Sequence, residues 1–272
     1  MPKSPTALLH RAKERTSASL FVPATIALSC TALFIVLTGQ YTDLDLYLAD
    51  LYYDPVRQLF PWDRSWFGRD FMHGYLKNVI VWSGFLLIAA ALADLARPWR
   101  RLSPLRRLQL RFLALAATLE PLLVRSLKQA SNLHCPFAID RYGGSEPLLR
   151  LLDAVPAGWH PGHCFPAGHA SAGMWLSALA ILWLPRQPRR ALAAFAGGLA
   201  IGLTMGWVQQ MRGMHFLSHT LATAWISSAL LLAMLALFRK PLQAAAGQSN
   251  AATRAAGATS APVAGELAGS RR

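Results

Sequence analysis

"SASLFVPATIALSCTALFIVLTGQYT", Ser17 to Thr42, runs for 26 residues without a charge. As a helix rising about 1.5 Å per residue, it is longer than the roughly 30 Å hydrocarbon core of a bilayer. It therefore reads as a membrane span. "ALSC" around Cys30 faintly resembles a lipoprotein cleavage site, but the apolar run continues well past it and is too long for a signal core. Cys30 is accordingly expected to be a packing residue inside a retained helix.

Similar stretches recur outward from this one: "NVIVWSGFLLIAAALA" (78–93), "GHASAGMWLSALAILWLP" (168–185), "ALAAFAGGLAIGLTMGWVQQM" (191–211) and "FLSHTLATAWISSALLLAMLALF" (216–238). A weaker run, "FLALAATLEPLLV" (112–124), holds Glu120 and Pro121, which suit a span enclosed by its neighbours. The expected architecture is all-α, a polytopic bundle of six transmembrane helices. It divides into an N-terminus at 1–18, a membrane domain at 19–240 and a disordered tail at 241–272, where Ala, Gly, Ser and Thr offer little bulk to bury. The aromatic and charged stretch at about 43–76 is what the headgroup layer favours. The Gly and Ala of the fourth and fifth spans permit close helix contact.

The chain has 272 residues, 54% of them hydrophobic, 15% charged, and a net charge of +14. Such a balance fits either a nucleic-acid binder or a membrane protein with its arginines on one side. Their placement favours the membrane. Arg97, Arg100, Arg101, Arg106 and Arg107, then Arg186, Arg189 and Arg190, then Arg239 and Lys240 fall on one side of a six-span count, with the basic N-terminus. That side is the cytoplasm by the positive-inside rule, and both termini lie there. The opposite connections carry most of the acidic residues and face outward, to the periplasm of a bacterial-type inner membrane. No basic groove interleaved with aromatics points to nucleic acid.

This topology sends three polar clusters to the outer face: Lys128 with "HCPFAIDRYGG", then "HPGHCFPAGH", then "QQMRGMHFLSH". Together they hold Lys128, Arg141, His163, His169, Arg212, His215 and His219. Cations at an interface suit an anionic headgroup, and imidazoles among them suit proton transfer or covalent phosphate chemistry. In the "PAGH" turn, Pro166 fits a first helical turn. Ala167 and Gly168 admit a ligand to the backbone, whose free N–H groups attract an anion beside His169. His73 and His134 read as surface histidines, and Glu120 as a structural partner of Arg125.

These segments resemble the three signatures of the type 2 phosphatidic acid phosphatase (PAP2) family: a lysine followed after six residues by x-Pro, a Pro-x-Gly-His turn, and a histidine four residues before a polar partner. The resemblance covers about Lys77 to Arg239. It implies a six-helix core shared with vanadium haloperoxidases and removal of phosphate from lipid phosphates or pyrophosphates without metal or cofactor. Carried over by position, His215 is the nucleophile, His169 the general acid and Lys128 a phosphate ligand.

The sequence departs from the pattern at four places. Cys135 and Gln209 replace arginines, Ala167 replaces serine, and His219 replaces the aspartate that orients the nucleophile. Arg212 and Arg141 are expected to supply guanidinium groups to phosphate, with Ala167 and Gly168 as the backbone cradle, and His219 to accept the His215 N–H. Cys135 and Cys164 flank two signatures on the outward face, where a disulfide would persist and clamp them together. Three further readings stand beside hydrolysis: phosphotransfer to another lipid, a catalytically weak binder or transporter of anionic lipid, and a zinc site from His215 and His219 with His163 or His169. The partner in the leading reading is a phospholipid or isoprenoid-lipid phosphate within the membrane.

Overall fold

The computed structural model describes the backbone of residues 5–259 and the side chains of residues 21–249. Among these, α1 (Pro5–Tyr41) and α2 (Leu44–Asp50) precede an outer arm built from a 3-10 turn, Pro61–Arg64, and a π-wound segment, Trp66–Leu76. That segment runs directly into α3 (Lys77–Ala96). There follow α4 (Pro104–Gln129), α5 (Gly168–Met174) with its 3-10 continuation Trp175–Trp183, α6 (Pro188–Met211) and α7 (Leu217–Thr259). The start of α4 is legible locally: Ser103 Oγ accepts the Arg106 N–H at 3.3 Å, and Pro104 takes the first helical position.

Four stretches of the described residues are long and apolar enough to cross a bilayer: Phe21–Tyr41, Trp66–Ala96, Pro188–Met211 and Leu217–Ser249. The chain is a multi-pass membrane protein, but the expected count of six is not reached by these criteria. α4 is too charged, carrying Arg106, Arg107, Arg111, Glu120, Arg125 and Lys128. α5 is too short, with 7 residues before the winding tightens into a 3-10 continuation of 9. Both are nonetheless interior elements. Phe112, Leu113 and Ala116 of α4 and Ala178 and Ile181 of the continuation share a core with Leu231 and Met234 of α7.

The tail differs from its expectation. α7 continues through residue 259, and Leu242, Ala245 and Ala246 are buried on the same core. Their spacing of three and four residues puts small apolar side chains on one helical face, enough to dock a helix that looks featureless by composition. Residues 260–272 of that tail, and residues 1–4 at the other end, lie outside the described residues.

Helix contact is closest along α6. A Cβ at Gly198 would meet the backbone of Ser177, one at Gly202 the Met174 side chain, and one at Gly206 the Thr220 side chain. This four-residue repeat of glycines lets α5, its continuation and α7 approach the α6 backbone. Glu120 is fully buried, and Ser227 Oγ donates to its Oε1 at 2.6 Å. Its partner is thus Ser227 and not Arg125. Five residues on a helix are about 140° apart, so Glu120 and Arg125 point to different faces. Cys30 is exposed on α1 and does not pack inside.

Candidate active site

The three polar clusters meet because the chain between them is joined at the backbone. Gly162, His163 and Cys164 N–H groups donate to the carbonyls of Asn132, Ser131 and Leu133 at 3.3, 3.1 and 3.0 Å. Gly162 has no substitute there, since a Cβ would stand 2.5 Å from the Leu133 carbonyl oxygen. Cys135 and Cys164 close this pairing with a disulfide, Cα to Cα 5.3 Å. Phe137 N–H donates to Gly213 O at 3.0 Å, and Ala167 N–H to His219 O at 3.1 Å. Thr223 Oγ1 then donates to the Ala167 carbonyl at 3.1 Å, tying the "PAGH" turn to the first turns of α7.

Within this frame the imidazoles form a succession. The ring of His169 lies 6.4 Å from that of His215, which lies 5.8 Å from that of His219. His215 and His219 are buried, at 2% and 3% exposure, whereas His169 is half-buried. His215 Nδ1 sits 3.4 Å from the disulfide sulfur of Cys164. Burial holds the His215 pKa well below the ordinary imidazole value, and the nearby His219, Lys128 and His169 push it the same way. At neutral pH His215 is therefore uncharged and able to act as a nucleophile.

A cavity of about 700 Å³ opens in front of His169. Gly168, His169, His163 and Lys128 form its polar end, with Lys77 and Arg125 also in the wall. Val81, Gly84, Phe85 and Ile88 of α3 face Ala117, Pro121 and Leu122 of α4 along its apolar part. The Lys128 stem lies along Gly168, its Cδ 3.7 Å from where a Cβ would be. No acidic side chain is in the wall. An anionic head with an apolar tail matches this division. His215 and His219 lie behind the cavity and not in its wall.

Arg212 stands beside Gln209, one of the two positions that depart from a signature arginine. It is buried, and its Nη1 donates to Gln209 Oε1 at 3.1 Å. Oδ1 of Asp63, from the arm between α2 and α3, accepts from both its Nε and its Nη2, at 3.0 and 2.6 Å, which restrains the guanidinium. One helical turn separates Gln209 from Arg212, so the two side chains meet on one face. Arg141 does not come to the site. Both arms of its guanidinium are given to Asp50, at 3.0 and 2.7 Å, in a partly exposed pair away from the three imidazoles, and like Arg212 it is absent from the cavity wall. Ala167 is corrected too: it is fully buried and its N–H is committed to His219, which leaves Gly168 as the cradle residue facing the cavity.

Two histidines were misjudged by sequence. His134 is buried, its ring 5.0 Å from that of Trp159. His73 lies against His169, ring centres 4.2 Å apart. Nothing in the sequence links Asp63 or His73 to the three signatures, because they come from an arm folded back over the site. The zinc set of His215, His219 and His163 or His169 is not gathered. Among the described residues, the group close enough to share an ion is Cys135, Cys164 and His215, and its two sulfurs are bonded to each other.

A family model described as the PAP2 superfamily matches residues 109–242. No curated protein and no solved structure matches the chain. The matched segment contains Lys128, the "PAGH" turn, His215 and His219 together with the backbone pairing that unites them, and through it the chain belongs to the PAP2 superfamily, which supports a phosphatase-type activity on a membrane-associated substrate.

Proposed function

We propose that the protein is a phosphatase that removes phosphate from a lipid phosphate or pyrophosphate at the outer, periplasmic face of a bacterial-type inner membrane, with both termini in the cytoplasm. The observation that carries this reading is the cavity, whose cationic end holds His169, Lys128 and Gly168 and whose apolar length lies between α3 and α4. The lipid tail lies between these helices and the phosphate sits against Lys128 and the start of α5.

His215 attacks phosphorus and forms a phosphohistidine while His169 gives its proton to the departing oxygen. His169 then takes a proton from water as the water's oxygen attacks phosphorus, and the bond to His215 breaks to release phosphate. Reacting atoms must approach within about 3–3.5 Å. Two such approaches on opposite sides of one phosphorus are consistent with rings 6.4 Å apart. Arg212, restrained by Asp63, neutralises phosphoryl oxygens as negative charge develops. His219 stands edge-on to His215, ring centres 5.8 Å apart, its Nδ1 without a hydrogen-bond partner, so the expected acceptance of the His215 N–H is not formed; without the negative charge that an aspartate would bring, formation of the imidazolium is slowed.

Phosphate release from lipid monophosphates and diphosphates by the purified protein, in the presence of chelator and beside His215→Ala, tests the proposal. Release that survives chelator and disappears in the variant is the expected result. The seclusion of His215 behind the cavity, at 2% exposure, favours one alternative: an anionic-lipid binder with little turnover. In that case His215→Ala leaves lipid affinity unchanged and no lipid is hydrolysed. Transfer to an added lipid alcohol in place of water would identify a phosphotransferase.

A further inference from the structure

We propose that Lys77 and Arg125 form a second phosphate subsite beside the one at Lys128, so that the site selects a lipid diphosphate and grips both of its phosphoryl groups. The inference rests on the phosphatase reading and deepens it by naming the substrate class. Lys77 lies outside the segment matched by the family, and Arg125 belongs to none of the three signatures, so the subsite is a property of this chain's own cavity wall.

That wall holds more positive charge than one phosphoryl group needs. Lys77 comes from the start of α3, and Arg125 and Lys128 come from the last turns of α4. The wall contains no carboxylate, and among the described residues none of the three cations is in a salt bridge. Cations gathered without counter-charge around a partly apolar cavity repel one another, and an anion bearing several charges relieves that repulsion. A terminal phosphoryl group brings about two negative charges, and a second one bonded to it brings more.

The cations stand in two tiers. α3 and α4 cross where Gly84 meets Ala117, a Cβ on Gly84 being 3.6 Å from that of Ala117. From this crossing toward the polar end, at about 1.5 Å per residue, Lys77 stands about 10 Å along α3 and Arg125 about 12 Å along α4, nearly level on the two helices. Lys128 lies about 4–5 Å further along α4, where its stem runs beside Gly168 next to His169. The lower tier is therefore the one nearer the apolar length formed by Val81, Phe85, Pro121 and Leu122. That order matches a lipid diphosphate read from its tail: apolar chain, inner phosphoryl group, terminal phosphoryl group. A step of less than one helical turn suits two phosphoryl groups that share a single bridging oxygen.

The lower tier then has a chemical role. His215 bonds to the terminal phosphorus, and the bond from that phosphorus to the bridging oxygen breaks. The bridging oxygen leaves with the inner phosphoryl group and takes the proton of His169. Water cleaves the phosphohistidine, so that lipid diphosphate and water give lipid monophosphate and inorganic phosphate. Negative charge grows on the inner phosphoryl group as it departs, and Lys77 and Arg125 stand where they stabilise it. A lipid monophosphate places no phosphoryl group at that tier.

The test is steady-state phosphate release by the full chain in detergent from farnesyl diphosphate and farnesyl monophosphate, which share one tail. Wild type is expected to favour the diphosphate by at least about tenfold in kcat/KM, the worth of one charge-assisted contact to the departing group. Lys77→Gln combined with Arg125→Gln should lower that ratio about tenfold or more, and Lys77→Arg combined with Arg125→Lys, which keeps both charges, should restore most of it. A wild-type ratio of one or less, or the same ratio in wild type and in the charge-removing variant, would overturn the inference and leave the phosphatase reading intact. The two cations would then only reach toward the headgroup layer. If the charge-removing variant does not fold, the wild-type ratio decides together with product inhibition: inorganic diphosphate should inhibit at a concentration at least about tenfold below that of inorganic phosphate, and equal inhibition overturns the subsite. Release from neither lipid by wild type overturns the phosphatase reading and this inference with it.

Discussion

Replacing both Cys135 and Cys164 by serine removes the covalent link between the segment after α4 and the segment before α5. The bridge spans 29 residues of sequence. On the chain-entropy model, a loop of that size is worth about 3.5 kcal/mol, an upper figure here because helices persist in a membrane-embedded unfolded chain. At roughly 2–4 °C per kcal/mol, the melting temperature in detergent should fall by up to about 14 °C. Activity should fall further than stability accounts for at assay temperature. The Cys164 sulfur is 3.4 Å from His215 Nδ1, and the adjoining Cys164 N–H is one of the bonds that align the two segments. The assay is thermal unfolding followed by intrinsic fluorescence, with phosphate release measured in parallel, each with and without reductant. Reductant should bring the wild type to the level of the double variant and leave the double variant unaffected. Equal melting temperature and equal rate in reduced and oxidised wild type would refute the reasoning, and would assign the whole alignment to the backbone hydrogen bonds.

Asp63→Asn leaves Arg212 with a neutral partner in place of a charged one, and a charge-assisted bond is worth about 1.5–3 kcal/mol. The expected loss in kcat/KM is therefore at least about tenfold, read from steady-state kinetics. Arg141→Ala should leave kcat/KM unchanged, since Arg141 pairs with Asp50 at the surface, and should cost at most about 1 kcal/mol of stability. Because Arg141 holds the Asp50 carboxyl below its usual range, that small contribution is present above the unfolded-state value of 3.8 and is lost as pH falls through the folded value. A denaturation series on acidification should show this loss in wild type and not in Arg141→Ala. Burial depresses the His215 pKa, so the acid limb of kcat/KM assigned to His215 should lie well below pH 6.5; an acid limb near 6.5 would contradict that. Gly198→Ala puts a methyl group against the Ser177 backbone, and folded yield after detergent extraction should drop sharply, whereas Gly197→Ala, open on that side, should be tolerated.

Much of this was legible in one dimension. Uncharged runs such as Ser17–Thr42 are too long and too apolar for any role but a span, whatever surrounds them. The positions of Lys128, His169, His215 and His219 follow from spacing within continuous segments, because a turn or one helical repeat holds such residues together wherever the segment goes. The glycine repeat at 198, 202 and 206 is likewise a local pattern with one physical use, close helix approach. By contrast, α4 and α5 lack the length and apolarity of a free-standing span, because α4 carries Arg106, Arg107, Arg111, Glu120, Arg125 and Lys128 and α5 tightens after 7 residues, although both pack in the core. Burial within protein and burial in lipid look alike in a string of letters.

What the sequence by itself determined was the membrane-helical class and the identity of the residues in the three signatures. Tertiary structure alone decided which partner each cation meets. Arg141 and Arg212 are both candidates from the chain, and Asp50 pairs with one and Asp63 with the other. His73 reads as a surface residue until the arm folds over and lays it on His169. Local patterns encode contacts within a helical turn or two, but a charge's partner depends on which distant segment arrives beside it. That is set by the packing of the whole bundle.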